Sequence, residues 1–115
     1  MVMSATSFSG SGLRDWLLQR FTALVLAAYT LFLLFYCLLH PGLEFSAWTA
    51  LFAHPAMKIA TLIALLSLLI HAWIGVWTVI GDYIHCGCLR LALYAIILTC
   101  LLASLGWGLM IVWSV

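Results

Sequence analysis

The sequence predicts an all-α membrane protein of three transmembrane helices, and three observations carry that reading. Of its 115 residues, 68% are hydrophobic and only 6% are charged. Soluble domains carry about 25% charge, so an ordinary water-soluble protein is excluded. The seven charges are Arg14, Asp15, Arg20, Glu44, Lys58, Asp82 and Arg90, and they leave uncharged stretches at 21–43, 59–81 and 91–115. Crossing roughly 30 Å of hydrocarbon at 1.5 Å of rise per residue takes about 20 apolar residues, and each stretch is long enough. A membrane barrel is excluded because period-2 alternation and turn signals about every ten residues are missing.

Taken in order, residues 1–12 hold four serines, two glycines and no basic residue, a polar lead without the charged start of a signal peptide. A helical pattern begins at Leu13 and runs to Leu39, where His40-Pro41-Gly42 breaks it. The run exceeds the apolar region of a signal peptide, about 7 to 15 residues, and lacks a small-residue cleavage site; it is expected to stay in the mature protein as a first span over about 15–39. In the connection that follows, Phe45, Trp48, Leu51 and Phe52 recur at helical spacing, which predicts a short interfacial helix. His54-Pro55 closes it. A second span is predicted over about 58–82 and a third over about 89–113, joined so closely that they must be antiparallel neighbours. One membrane domain, 1–115, accounts for the chain.

Basic residues favour the cytoplasm. Arg14, Arg20 and Arg90 stand on one side and Lys58 alone on the other, which places the N-terminus in the cytoplasm and the C-terminus in the periplasm. Trp48, Trp107 and Trp113 then fall toward the outer interface. The net charge of +1 gives no argument for nucleic acid. Cys37, Cys86, Cys88 and Cys100 form no secreted disulfide pattern and read as free thiols; Cys86-Gly87-Cys88 has no second ligand pair to complete a metal site. Three spans leave no room for a catalytic domain in water, so any chemistry is intramembrane or shared with partner chains.

The second span concentrates its small and polar residues on one face. At 100° per residue, with His71 at zero, Ala60, Ala64, Ser67, Gly75, Thr78 and Asp82 all fall within about 40°. Small residues let helix backbones approach, and a Ser, Thr or His there can simply bond a neighbouring helix. That suffices for Ala60, Ala64 and Ser67. A mid-membrane imidazole is costly and usually functional, and Gly75 one turn on leaves room for a flat ligand. Metal or haem ligation, a proton path and a satisfied structural histidine all stay open for His71. A haem held by two imidazoles needs a second histidine, but His40, His54 and His85 lie near span ends, where interfacial exposure accounts for them. The second ligand would come from another chain.

Asp82-Tyr83 ends the same span. A carboxylate there opposes the helix macrodipole; the pair reads either as a solvated aspartate beside an interfacial tyrosine or as a quinone head-group site, with Tyr83 donating to a carbonyl and Asp82 delivering protons. Asp82 lies about 16 Å of helix rise beyond His71, enough for two redox groups on one face. Arg20 is accounted for as a topology-setting arginine, and alternatively pairs with a haem propionate or with Asp82.

The chain resembles the small hydrophobic membrane-anchor subunits of bacterial succinate dehydrogenase, the cytochrome b part of respiratory complex II. Gly12-x-x-Asp15, Arg20-x-Thr22-Ala23, the three spans, His71-Ala72-Trp73-Ile74-Gly75-x-Trp77 and Asp82-Tyr83 carry the likeness along nearly the whole chain. The resemblance implies a four-subunit enzyme of the bacterial inner membrane. A flavoprotein with FAD oxidises succinate, an iron-sulfur subunit carries the electrons, and two anchors hold haem b and ubiquinone. It implies His71 as axial haem ligand, with the other anchor, of the cytochrome b556 type, supplying the second. Ser67 and Gly75 would pack the haem, Tyr83 would bond ubiquinone with Asp82 in support, and Arg20 would neighbour a propionate or the quinone. Arg14 stands where a close relative has histidine, leaving propionate contact as its one candidate role. The isolated chain is expected to have no activity, and a trimer of the four-subunit complexes is the higher assembly the resemblance allows. An anchor of a menaquinol-fumarate reductase and a non-redox scaffold or assembly subunit are the alternatives.

Overall fold

The computed structural model describes residues 12–115. They form α1 (Gly12–Leu39), α2 (Phe45–Ala53), α3 (Pro55–Tyr83) and α4 (Gly87–Ser114). The helices α1, α3 and α4 are each long and apolar enough to cross a membrane, and α2 is the short helix that the spacing of Phe45, Trp48, Leu51 and Phe52 predicts. The predicted polar lead lies largely outside the described residues.

Local chemistry sets the boundaries. At the end of α1, His40 Nδ1 donates to the Tyr36 carbonyl at 2.9 Å, and its ring stacks on Tyr36 with centroids 4.3 Å apart. Pro41 follows, and Gly42 turns the chain at φ 74°, in the left-handed region that glycine enters freely. His54 serves two helices. Its backbone N–H closes α2 on the Leu51 carbonyl at 3.3 Å, while its Nδ1 accepts from the Ala56 N–H at 3.2 Å. This is an N-cap with Pro55 in the first turn of α3, where a missing N–H costs nothing.

Among the described residues, five of the eight that are buried lie on α3: Met57, Ala64, Ser67, Ile74 and Ile80. It is the middle element, with α1, α2 and α4 all packed on it. Both long pairings are antiparallel and keep register over their length. Against α1, His71 meets Thr22 at 3.1 Å and Thr61 meets Tyr29 at 2.7 Å. Against α4, Trp77 stacks on Tyr94 with centroids 4.1 Å apart and rings within 4° of parallel. Leu65 lies against Gly108, and Lys58 Nζ donates to the Val115 carbonyl at 2.7 Å. The start of α1, the end of α3 and the start of α4 therefore share one end of the molecule.

Candidate functional site

The small and polar stripe of α3 faces α1. His71 is half-buried, and its Nδ1 lies 3.1 Å from the Thr22 hydroxyl oxygen. That hydroxyl has one proton, and two carbonyls of its own helix are in reach: Leu18 at 2.7 Å and Gln19 at 3.2 Å. The 2.7 Å separation is the usual length for O–H donation to oxygen, and 3.1 Å is ordinary for N–H donation. Thr22 therefore donates to Leu18 and accepts from His71 Nδ1–H. In the neutral ring Nε2 then carries the lone pair, and Nε2 has no hydrogen-bond partner among the described residues. About ten residues along α3 the same device returns, with Thr61 donating to the Met57 carbonyl at 2.8 Å and accepting from Tyr29 at 2.7 Å.

Other members of the stripe are occupied inside the chain. A Cβ added at Gly75 would lie 3.7 Å from Gln19 Nε2, an ordinary contact distance, so Gln19 of α1 is the neighbour of Gly75 across the helix interface. Ser67 is buried, 5% exposed. Thr78 turns its hydroxyl onto the Ile74 carbonyl of its own helix at 2.8 Å. The Oε1 of Gln19 is buried without a hydrogen-bond partner. The tryptophans of the same segment go the other way: Trp73 and Trp77 lie 5.1 Å apart and cluster with Tyr94 of α4. The run 71–77 thus offers its imidazole and glycine to α1 and its indoles to α4.

At the end of α3, Asp82 and Tyr83 are exposed, Tyr83 by 76%. Arg90 of α4 grips this end. Its Nε and Nη2 donate to the Ile84 carbonyl at 3.1 and 2.7 Å, and Nη2 lies 3.5 Å from the Gly81 carbonyl. The guanidinium satisfies acceptors that a helix C-terminus leaves open and sets positive charge against the negative end of the macrodipole. The carboxylate of Asp82, unfavourable in an isolated helix, sits within this compensated end. Arg20 is exposed, with its guanidinium 5.4 Å from the Trp16 ring centroid, and about 160° round α1 from Thr22. It turns away from α3, and Asp82 is not its partner. Arg14 is also exposed.

Sequence reasoning missed Gln19, Thr22, Tyr29 and Arg90 as site residues. The signal for the first three was present: with Thr22 at zero, Asp15, Gln19 and Tyr29 fall at about +20°, +60° and −20°, a polar stripe on α1 to match that on α3. Asp15 is 7% exposed and Thr22 2%. Four free cysteines, Cys37, Cys86, Cys88 and Cys100, are exposed.

Residues 4–107 match the family model described as succinate dehydrogenase/fumarate reductase transmembrane subunit. The chain is 41% identical over 105 residues to a succinate dehydrogenase hydrophobic membrane anchor subunit of Coxiella burnetii, covering 91% of each. Similar anchor subunits of Rickettsia bellii (38%, over 74% of this chain and 68% of the relative) and Rickettsia prowazekii (33%, over 95% and 88%) agree with it.

Proposed function

We propose, from the premise that this chain belongs to the family of succinate dehydrogenase/fumarate reductase transmembrane subunits, that it is the membrane anchor through which succinate dehydrogenase delivers electrons to ubiquinone. In this reading His71 ligates a b-type haem shared with a second anchor subunit, and Asp82 and Tyr83 form part of the quinone site. The observation that carries it is the state of His71: Nδ1 is taken by Thr22, and Nε2 is left with a lone pair and no partner among the described residues.

The donor set fits such a haem. No three His, Cys, Asp or Glu side chains among the described residues lie together as a metal site, so His71 would be this chain's single iron ligand. The other imidazole would come from the partner anchor. When bound, the haem supplies reversible one-electron storage. The exposed phenol of Tyr83 is free to donate to a quinone carbonyl, and Asp82 beside it to pass protons from water as the quinone takes up two. Arg90 holds the turn that presents both. The three spans fix the flavoprotein and iron-sulfur subunits to the membrane. The basic end bearing Arg14, Arg20 and Arg90 faces the cytoplasm by the same charge rule, in a bacterial inner membrane. The names of the curated relatives favour succinate oxidation over fumarate reduction.

Purification from native membranes in mild detergent tests the reading. A flavoprotein and an iron-sulfur protein should co-purify with the chain, together with a b-type optical spectrum. Recovery of the chain without them would leave only a helix-packing scaffold.

A further inference from the structure

We infer that Thr22 is the positioning residue of the haem ligand, fixing His71 in the tautomer and ring orientation that offer Nε2 to iron. The inference rests on the haem reading above and concerns a residue that touches the imidazole, not the iron.

Thr22 is the most buried side chain among the described residues, 2% exposed. Its β-branched side chain is confined to few rotamers in a helix, and its hydroxyl proton is committed to the Leu18 carbonyl at 2.7 Å. What remains toward α3 is an acceptor at a fixed point. An imidazole that meets an acceptor must present N–H, so the proton is drawn to Nδ1 and the lone pair is left on Nε2. The opposite tautomer would leave an N–H donor without a partner in the membrane interior, where an unpaired polar hydrogen is costly. The bond also stops rotation of the ring about its own axis, which a ligand plane requires. Metal-binding histidines in general give their second N–H to an acceptor that sets tautomer and basicity. Here a threonine supplies it, reaching across from α1.

The pairing of Tyr29 with Thr61 provides an internal control. It joins the same two helices through the same threonine device at 2.7 Å, about ten residues of helix away, and its loss weakens packing without touching His71.

The test uses the intact membrane complex. Thr22→Val keeps the shape and removes the acceptor, Thr22→Ala removes it with no risk of a clash, and Thr22→Ser keeps the hydroxyl. The readouts are haem per complex, the low-spin ferric resonance spectrum and the haem midpoint potential. Thr22→Val and Thr22→Ala should weaken haem retention by about 10- to 100-fold, the usual effect of losing such a partner. They should also raise the midpoint potential, because an imidazole that no longer donates to oxygen is a poorer electron donor to ferric iron. Thr22→Ser should restore both, and Tyr29→Phe should change neither. Wild-type haem content, spectrum and potential in Thr22→Val or Thr22→Ala would overturn the inference, as would an equal shift in Tyr29→Phe or no rescue by serine. His71→Leu, measured alongside, separates the two levels: an unchanged haem spectrum there removes the haem reading itself. A changed one with silent Thr22 variants removes only the role of Thr22.

Discussion

Replacing Arg90 tests whether the α4 side chain holds the end of α3 on which Asp82 and Tyr83 stand. Two bonds run from its half-buried guanidinium to one carbonyl, that of Ile84, at 3.1 and 2.7 Å. A hydrogen bond involving a charged group contributes about 1.5–3 kcal/mol, and the charge at the helix terminus adds about 0.3–1 kcal/mol. The two bonds share an acceptor that water can reach when the arginine is gone, so the grip as a whole is worth about 1.5–3 kcal/mol. At about 1.4 kcal/mol for each tenfold change, Arg90→Ala should increase opening of the last turn of α3 by about 10- to 100-fold. Arg90→Lys keeps the charge, loses the planar fork and should fall between. Amide hydrogen exchange over residues 81–85 reads the opening directly. With a short-chain ubiquinone analogue as acceptor, KM should rise in the same order, while succinate oxidation by an artificial dye stays as in the wild type. Unchanged exchange over 81–85 together with an unchanged quinone KM in Arg90→Ala would refute the reasoning.

Three further substitutions probe other contacts. Tyr83→Phe should lower quinone reduction several-fold and spare dye reduction; equal rates in both assays would take Tyr83 out of the quinone site. At Gly108 an added Cβ would meet Leu65 Cδ2 at 2.6 Å, whereas at Gly106 it meets nothing within 4 Å. Gly108→Ala should therefore be destabilising relative to Gly106→Ala by about 1–3 kcal/mol, the usual cost of overpacking, read as a lower thermal inactivation midpoint of the complex. Identical midpoints would show that Leu65 turns aside from the added methyl without cost. Gln19→Leu removes a buried Oε1 that has no donor, a group whose burial costs about 1–3 kcal/mol, and should leave thermal stability equal or raised. A clear loss would mean that a water or a partner subunit donates to that oxygen.

The spans were legible because charge is scarce and marks their limits, and α2 because four large apolar residues repeat at helical spacing. The phase of α3 was legible for the same reason: a histidine, small residues and hydroxyls share one face. What faced that stripe was not legible from α3 alone. Gly75 reads in sequence as a place of close approach, and the neighbour the structure sets there is Gln19 of α1, because a glycine records that something approaches and not what. Arg20 stands at the right end of the molecule, yet about 160° of helix phase separates it from Thr22. Arg90 could be placed at the same end of the molecule as Arg14 and Arg20 but not given its partner, since its bonds reach back six residues to a main-chain carbonyl, which leaves no trace in residue type. The cap role of His54 was hidden in the same way, by a side chain bonding backbone.

The polar contacts between helices also bear on how far the chain can hold itself together. In a bilayer the hydrocarbon solvates leucine as well as another helix does, so close packing and interhelical hydrogen bonds must supply the association. The bonds between spans include Thr22 with His71, Tyr29 with Thr61, Arg90 with the end of α3, and Lys58 with the Val115 carbonyl. Side-chain bonds of this kind average about 0.6 kcal/mol in membranes, a small sum against the freedom of three separate helices. The long helices pack chiefly through α3, and large apolar residues such as Leu24, Phe35, Ile96 and Leu102 remain exposed on α1 and α4. The two pairings on α3 therefore fix register more than they supply stability. A fixed register is what the proposed haem and quinone sites would require: the α1 pairing sets the orientation of His71, and the α4 pairing sets the height of Asp82 and Tyr83. A slip of one turn in the first would separate His71 from Thr22 while leaving the Arg90 grip intact, so haem properties and quinone kinetics should respond to different substitutions.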